Sequence, residues 1–314
     1  MRVAVLGLGL IGGSVALALA EAGHEVVGYD TDPQTRAAAA TRITVARRPE
    51  ELRDAAVAVL AVPVAAMHSA AALFESGPFS GVLTDTASVK GRVLARLGSH
   101  PRFVGGHPMA GKAEAGFAAA EADLFRDRPW VLCLEPSTDL HDWVRLAGLW
   151  TSIGARVVPT TAAAHDRAAA RISHVEHIAA AALTAVGDEP LARSLAAGSF
   201  RDGTRVAASP PLLFQGMVEG NRDELAAALG ALRAQLESAQ RLLEEHRERP
   251  ELIADWFARA HRRRSSWPDE PGGPEPIRLH REDLLELGAC GGWIESVAGN
   301  EHATVRRPRV ESTL

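Results

Sequence analysis

Cysteine is almost absent from this chain: Cys133 and Cys290 are the only two in 314 residues, which excludes a disulfide framework and a thiolate metal cluster. A large excess of charge of one sign is missing too. Lys and Arg number 34 against 39 Asp and Glu, a formal net charge of −5, so nothing global draws the chain to nucleic acid or to an anionic membrane. After the first strand no stretch is apolar enough to span a bilayer, and the apolar N-terminus lacks the basic leader and small-residue cleavage site of a secretory signal. These absences predict a cytoplasmic protein with neither nucleic acid nor membrane as partner. The length predicts two domains.

What is there begins at Arg2-Val3-Ala4-Val5-Leu6, a short buried strand running into Gly7-Leu8-Gly9-Leu10-Ile11-Gly12-Gly13-Ser14. This is G-x-G-x-x-G between a strand and an apolar helix that lasts to Gly23, followed by a second strand, Glu25 to Tyr29, ending in Asp30. Gly7 permits the tight turn, Gly9 close approach to a pyrophosphate, and Gly12 helix packing on the strand. The helix start at Leu10 and Ile11 then faces the phosphates with its amides. Asp30 lies where a carboxylate accepts from ribose hydroxyls and repels a 2′-phosphate, which favours NAD over NADP. The alternative is that Asp30 caps the next helix, through Thr31-Asp32-Pro33, and that Arg36 reaches a phosphate.

The run Ala56 to Pro63 and the segment Gly81-Val82-Leu83-Thr84-Asp85 read as further strands buried on both faces. Ligands gather beyond the carboxyl ends of such strands. That places Val62-Pro63, Asp85-Thr86-Ala87-Ser88-Val89-Lys90 and the loop Gly105-Gly106-His107-Pro108-Met109-Ala110-Gly111 around one crevice. Trp130 to Leu134, a helix over 139–153, and Arg156-Val157-Val158 are expected to complete this dinucleotide-binding domain, 1–160. A histidine beside a dinucleotide site suggests a base for hydride chemistry on an alcohol.

From Thr161 the texture is helical. A domain over 161–262 is expected, opening with an apolar stripe at Ile172, Val175, Ala179, Ala182 and Val186, and with Arg167, Arg171, His174 and His177 on other faces. The two histidines three apart have no evident third ligand, so no metal is expected. A helix from Asn221, with Glu224 in capping-box position, carries Leu225, Leu229, Leu232, Leu236, Ala239 and Leu243 in a heptad seam. The seam suits an intrachain core or pairing with a second copy, and a homodimer is expected. Residues 263–314, opening with Arg263-Arg264-Ser265-Ser266-Trp267-Pro268, read as a linker and tail, with one short helix between Leu279 and Leu287.

Over roughly residues 1–250 the chain resembles the prephenate and arogenate dehydrogenases of tyrosine biosynthesis. The resemblance rests on Gly7 to Ser14, Asp85 to Lys90, Gly105 to Gly111, Ser173-His174 with His177, and Phe200-Arg201-Asp202-Gly203-Thr204-Arg205-Val206-Ala207. It implies an α/β Rossmann-type doubly wound parallel sheet plus an all-α C-terminal dimerisation domain, and NAD-dependent oxidative decarboxylation of a cyclohexadienol. It also implies His107 as catalytic histidine, Ser88 as the serine that contacts the hydroxyl, and Arg205 as the carboxylate-binding arginine. His177, with His174 and Arg201, falls in the substrate region. Departures are Ala113 with Glu114 after the His107 loop, Glu176 before the second histidine, Arg201, and Ser209-Pro210. These touch the region that recognises the substrate's side chain, so prephenate is preferred over arogenate only narrowly. A hydroxy-acid dehydrogenase and a non-catalytic NAD-binding regulator are the rivals of other kinds.

Overall fold

A computed structural model describes residues 1–112, 114–209, 211–245 and 249–309, without the side chains of residues 212, 213 and 245. The chain divides into two compact units: 1–166 with 273–307, and 167–272 with the residues from 308 on.

The first unit is built on two six-stranded sheets. In the first sheet β1 (Arg2–Leu6), β2 (Glu25–Tyr29), β3 (Thr44–Val45), β4 (Val57–Leu60), β5 (Val82–Asp85) and β6 (Phe103–Val104) are all parallel, in the order β3-β2-β1-β4-β5-β6. Strand alternation explains why their sequences are continuously apolar. Val3, Val5, Val57 and Val59 point into one core, under the helix Leu10–Glu21 with Val15 and Leu19. Ala4, Leu6, Ala58 and Leu60 point into the other, under Met67, Phe74, Val93 and Leu97 of helices Met67–Glu75 and Gly91–Leu97. Both faces being dry, the central strand positions are apolar and polar residues fall at the strand ends, among them Thr84 and Asp85.

At Gly105 the chain leaves this sheet and enters the second. There β7 (Gly106–Pro108) runs antiparallel to β8 (Pro129–Cys133), which pairs parallel with β9 (Arg156–Thr160). The segments expected to complete the first domain thus form a second sheet within the first unit. The helix Leu140–Ser152, capped by Asp139, packs Trp143 and Trp150 into its core, where Trp150 stacks on Trp130 at 3.9 Å.

The segment 263–314 is more ordered than a linker and a tail with one short helix. The helix Pro250–Ser265 runs through the arginine cluster. Beyond it, β10 (Glu275–Arg278), the helix Arg281–Ala289, β11 (Trp293–Ala298) and β12 (His302–Arg306) complete the second sheet in the order β10-β12-β11-β9-β8-β7. Leu279, Leu284, Leu287, Ile294 and Val305 join the same core as Trp143. Few apolar residues suffice because they close a core the first unit already has.

The second unit is helical. Its first helix, Ala162–Ala169, begins in the first unit and passes through a π-turn at Ala170–His174 into Val175–Val186. Arg222–Glu245 is the long helix, with Leu225 buried but Leu236 and Leu243 about 60 % exposed.

Candidate active site

The glycine turn is shaped by contact. Gly7 adopts φ +94°, and a Cβ on Gly12 would lie 1.9 Å from the Gly7 carbonyl oxygen, whereas one on Gly9 would meet nothing within 4 Å. Gly9 therefore borders open space. That space is a cavity of about 740 Å³ beyond the ends of β1, β2 and β4, lined by Gly7, Gly9, Asp30, Val62 and Pro63 among others, a size ordinary for a small-molecule site. Leu10 and Ile11 begin the helix behind it.

Asp30 accepts the Leu8 amide at 2.7 Å and the Asp32 amide at 2.9 Å, two of the roughly four acceptor positions of a carboxylate. Asp32, not Asp30, caps the next helix, accepting from Gln34 and Thr35. Arg36 donates to the carbonyls of Asp30 at 2.7 Å and Thr31 at 3.0 Å and lies over the Tyr29 ring. Nη1 of its guanidinium is thus bonded to backbone of two residues that line the cavity.

Around Asp85 the structure brings two of the three expected segments together, Asp85–Lys90 and the His107 loop, while Val62 and Pro63 line the large cavity. Asp85, 0 % exposed, accepts from Lys90 Nζ at 2.5 Å, the Ala87 amide at 2.9 Å and the Gly106 amide at 3.1 Å. Lys90, 1 % exposed, donates also to the Gly106 carbonyl at 2.5 Å. A buried ion pair thus clamps both polar groups of the residue before His107. Gly106 has to be glycine, since a Cβ would come within 2.8 Å of the Asp85 carbonyl oxygen. His107 follows on β7 opposite Val131, half-buried, with Nδ1 2.9 Å from His165 Nε2. Ser88 is half-buried in the turn between β5 and helix Gly91–Leu97. Asp85 serves here as an internal clamp, and it is absent from the lining of the large cavity.

Sequence reasoning missed Lys90 as a partner and missed His165 and Asp166 entirely. The five-residue spacing of Asp85 and Lys90 inside an apolar strand end was a usable signal. For His165 there was none, because 58 residues separate it from His107. Cys133 is buried, and burial pushes its thiol pKa far up, so it is no nucleophile.

The remaining expected site residues, His174, His177, Arg201 and Arg205, belong to the second unit. His174 and His177 line a cavity of about 270 Å³ with Ile178, Phe214, Met217 and Leu225. His174 is buried with Nδ1 3.3 Å from the Asn221 amide nitrogen, and His177 packs on Phe214 with ring centroids 4.8 Å apart. His177 Nδ1 is buried without a hydrogen-bond partner among the described residues. Arg205 opens the 3-10 turn Arg205–Ala208, and it and Arg201 are exposed. Glu114 and Glu176 are also exposed. Ala113 and Pro210 lie outside the described residues. Among the described residues no group of three or more His, Cys, Asp or Glu could hold a metal, and no helix is long and apolar enough to cross a membrane.

The glycine turn, the strand order and the separate helical unit define a nucleotide-binding protein of the doubly wound α/β class. Residues 15–159 match the prephenate dehydrogenase nucleotide-binding domain, and residues 161–258 match the prephenate dehydrogenase dimerization domain. The chain belongs to the prephenate dehydrogenase family.

It is 33 % identical over 239 residues to the prephenate dehydrogenase of Bacillus subtilis (strain 168), covering 70 % of this chain and 64 % of that protein. The match thus spans just under two thirds of the relative's length. Among solved structures, a candidate prephenate dehydrogenase from Corynebacterium glutamicum ATCC 13032 superposes with TM-score 0.85 at 34 % identity, covering 94 % of this chain and 99 % of that one. Prephenate dehydrogenase from A. aeolicus, in complex with hydroxyphenyl propionate and NAD+, superposes with TM-score 0.78 at 25 % identity, covering 85 % and 98 %.

Proposed function

We propose that this protein catalyses the NAD-dependent oxidative decarboxylation of prephenate to 4-hydroxyphenylpyruvate, as a homodimer paired through its helical unit. The observation that carries the reading is His107, fixed by the Asp85–Lys90 clamp on the residue before it. The glycine turn, the open space at Gly9 and the Asp30 carboxylate fit NAD, whose adenosine ribose Asp30 would hold. When bound, NAD supplies the acceptor for the substrate's hydride. The neutral imidazole of His107 takes the hydroxyl proton as hydride departs and carbon dioxide is lost. Ser88 orients the hydroxyl.

Arg205 is assigned to the substrate carboxylate, which a guanidinium can bind bidentately. His177, His174 and Arg201 are assigned to the rest of the substrate. Pairing with a second copy is supported by apolar side chains left in solvent by one chain, among them Ile172 at 64 % and Val186 at 81 % exposure.

The test is NADH formation at 340 nm with prephenate and, separately, arogenate, each with NAD and with NADP. Turnover of prephenate with NAD is expected. Faster turnover of arogenate would reassign the substrate, and no turnover of either would refute the reaction.

A further inference from the structure

Nδ1 of His107 lies 2.9 Å from Nε2 of His165, the rings edge-on at 77°. Nδ1 of His165 in turn lies 2.8 Å from Oδ1 of Asp166. The Asp166 carboxylate also accepts the backbone amides of Lys90 at 2.8 Å and Gly91 at 2.7 Å, the two residues that begin the helix after the clamp. His165 and Asp166 are buried, and all these residues belong to the first unit.

The order of donors follows from the far end of this chain. Burial alone would raise the pKa of Asp166, but hydrogen bonds from His165 and the two amides outweigh it and hold the carboxyl below its ordinary value. At neutral pH it is therefore an anion, which can only accept. Nδ1 of His165 then carries its hydrogen. With His165 taken as the neutral imidazole, its one N–H is spent on Asp166, so Nε2 of His165 accepts and the donor is Nδ1–H of His107. The proton-accepting lone pair of His107 is left on Nε2.

We propose that His165 and Asp166 are positioning residues that lock His107 as the Nδ1–H tautomer, with Nε2 the atom that takes the substrate's hydroxyl proton. The proposal rests on the reading of His107 as the base. In the step, the substrate O–H bond breaks as Nε2–H forms, the freed electron pair closes the C=O bond as the carbinol hydride passes to the bound nicotinamide, and the ring then takes the electron pair of its bond to the carboxylate, releasing carbon dioxide and leaving a phenolate. The proton remains on His107, and the Asp166 carboxylate, one imidazole away, offsets the new positive charge. Charged groups near the pair among the described residues include Asp166 on its helix, Asp85 and Lys90 beyond β5, and Glu135 beyond β8, which accepts the Ala162 amide at 2.6 Å.

Nitrogen-15 shifts of His107 in histidine-labelled protein, free of substrate, read the tautomer directly. Wild type is expected to be protonated at Nδ1. Asp166→Asn, whose amide can donate to His165, is expected to turn His107 to the Nε2–H form and to lower kcat on the order of 10²- to 10⁴-fold, as when an amide replaces the carboxylate of a catalytic triad.

Because Asp166→Asn also loosens two backbone contacts, His165 supplies a second test. His165→Leu is expected to lower kcat about 10- to 100-fold with KM within about threefold, and to move the acid limb of the kcat profile downward. His165→Gln, whose Oε1 can accept from Nδ1–H, restores most of the loss. Wild-type His107 protonated at Nε2, or a His165→Leu enzyme with unchanged kcat and pH profile, overturns the proposal. The shifts need no substrate, so failure of the function would show as silence on both cyclohexadienols whatever tautomer is found.

Discussion

His107 and Arg205 differ in when their interactions are made, and that difference predicts opposite kinetics. Proton transfer to His107 exists only as the hydroxyl acidifies, so His107→Asn should lower kcat by about 10²- to 10⁴-fold while KM moves little. An arginine that grips a carboxylate present from the outset stabilises ground state and transition state together. Arg205→Ala should therefore raise KM with kcat nearly unchanged. Steady-state kinetics of the two variants checks both, and a kcat collapse in Arg205→Ala with unaltered KM would reverse its role. At this scale the sequence was informative where a residue's neighbours in the chain define its task. The close packing at Gly12 could be read because strand, turn and helix are contiguous. His165 could not, since its meaning comes from contact across 58 residues.

The buried Asp85–Lys90 pair ties β5 to β7 and so joins the two sheets where the chain crosses between them. Taking the lysine away leaves Asp85, 0 % exposed, with backbone amides as its partners among the described residues. Breaking one side of such a pair costs about 3–5 kcal/mol. Lys90→Met is therefore expected to lower unfolding stability by that amount in a urea titration. A loss below about 1 kcal/mol would mean the clamp is incidental. The elements themselves were unequally legible. Parallel strands dry on both faces are runs of Val, Leu and Ala that periodicity finds easily. The strands of the second sheet are short and mixed. His302-Ala303-Thr304-Val305-Arg306 does alternate, with Ala303 and Val305 buried, but five residues of alternation after a Pro/Gly stretch read more readily as tail.

For the molecule as a whole, the chain leaves the first unit after Asp166 and returns to it at Gly273. No local pattern announces such a return, because β11 joins the sheet by pairing with β9 at Ile294 and Val157, 137 residues apart. The returning segment places Leu279, Leu284, Leu287, Ile294 and Val305 in the core shared with Trp143 and Trp150. Each is worth about 1.5–3 kcal/mol on burial, and together they approach the whole stability of an ordinary domain, about 5–15 kcal/mol. A chain ending at residue 272 keeps every residue assigned a role in the reaction. It is nevertheless expected to lose soluble, cooperatively unfolding protein and, with it, nucleotide binding. Thermal unfolding and NAD titration of the truncated chain beside the full one decide the matter. A truncated protein that unfolds cooperatively and binds NAD as tightly as the full chain would show that the first sheet stands alone and that residues 273–307 are an accessory layer.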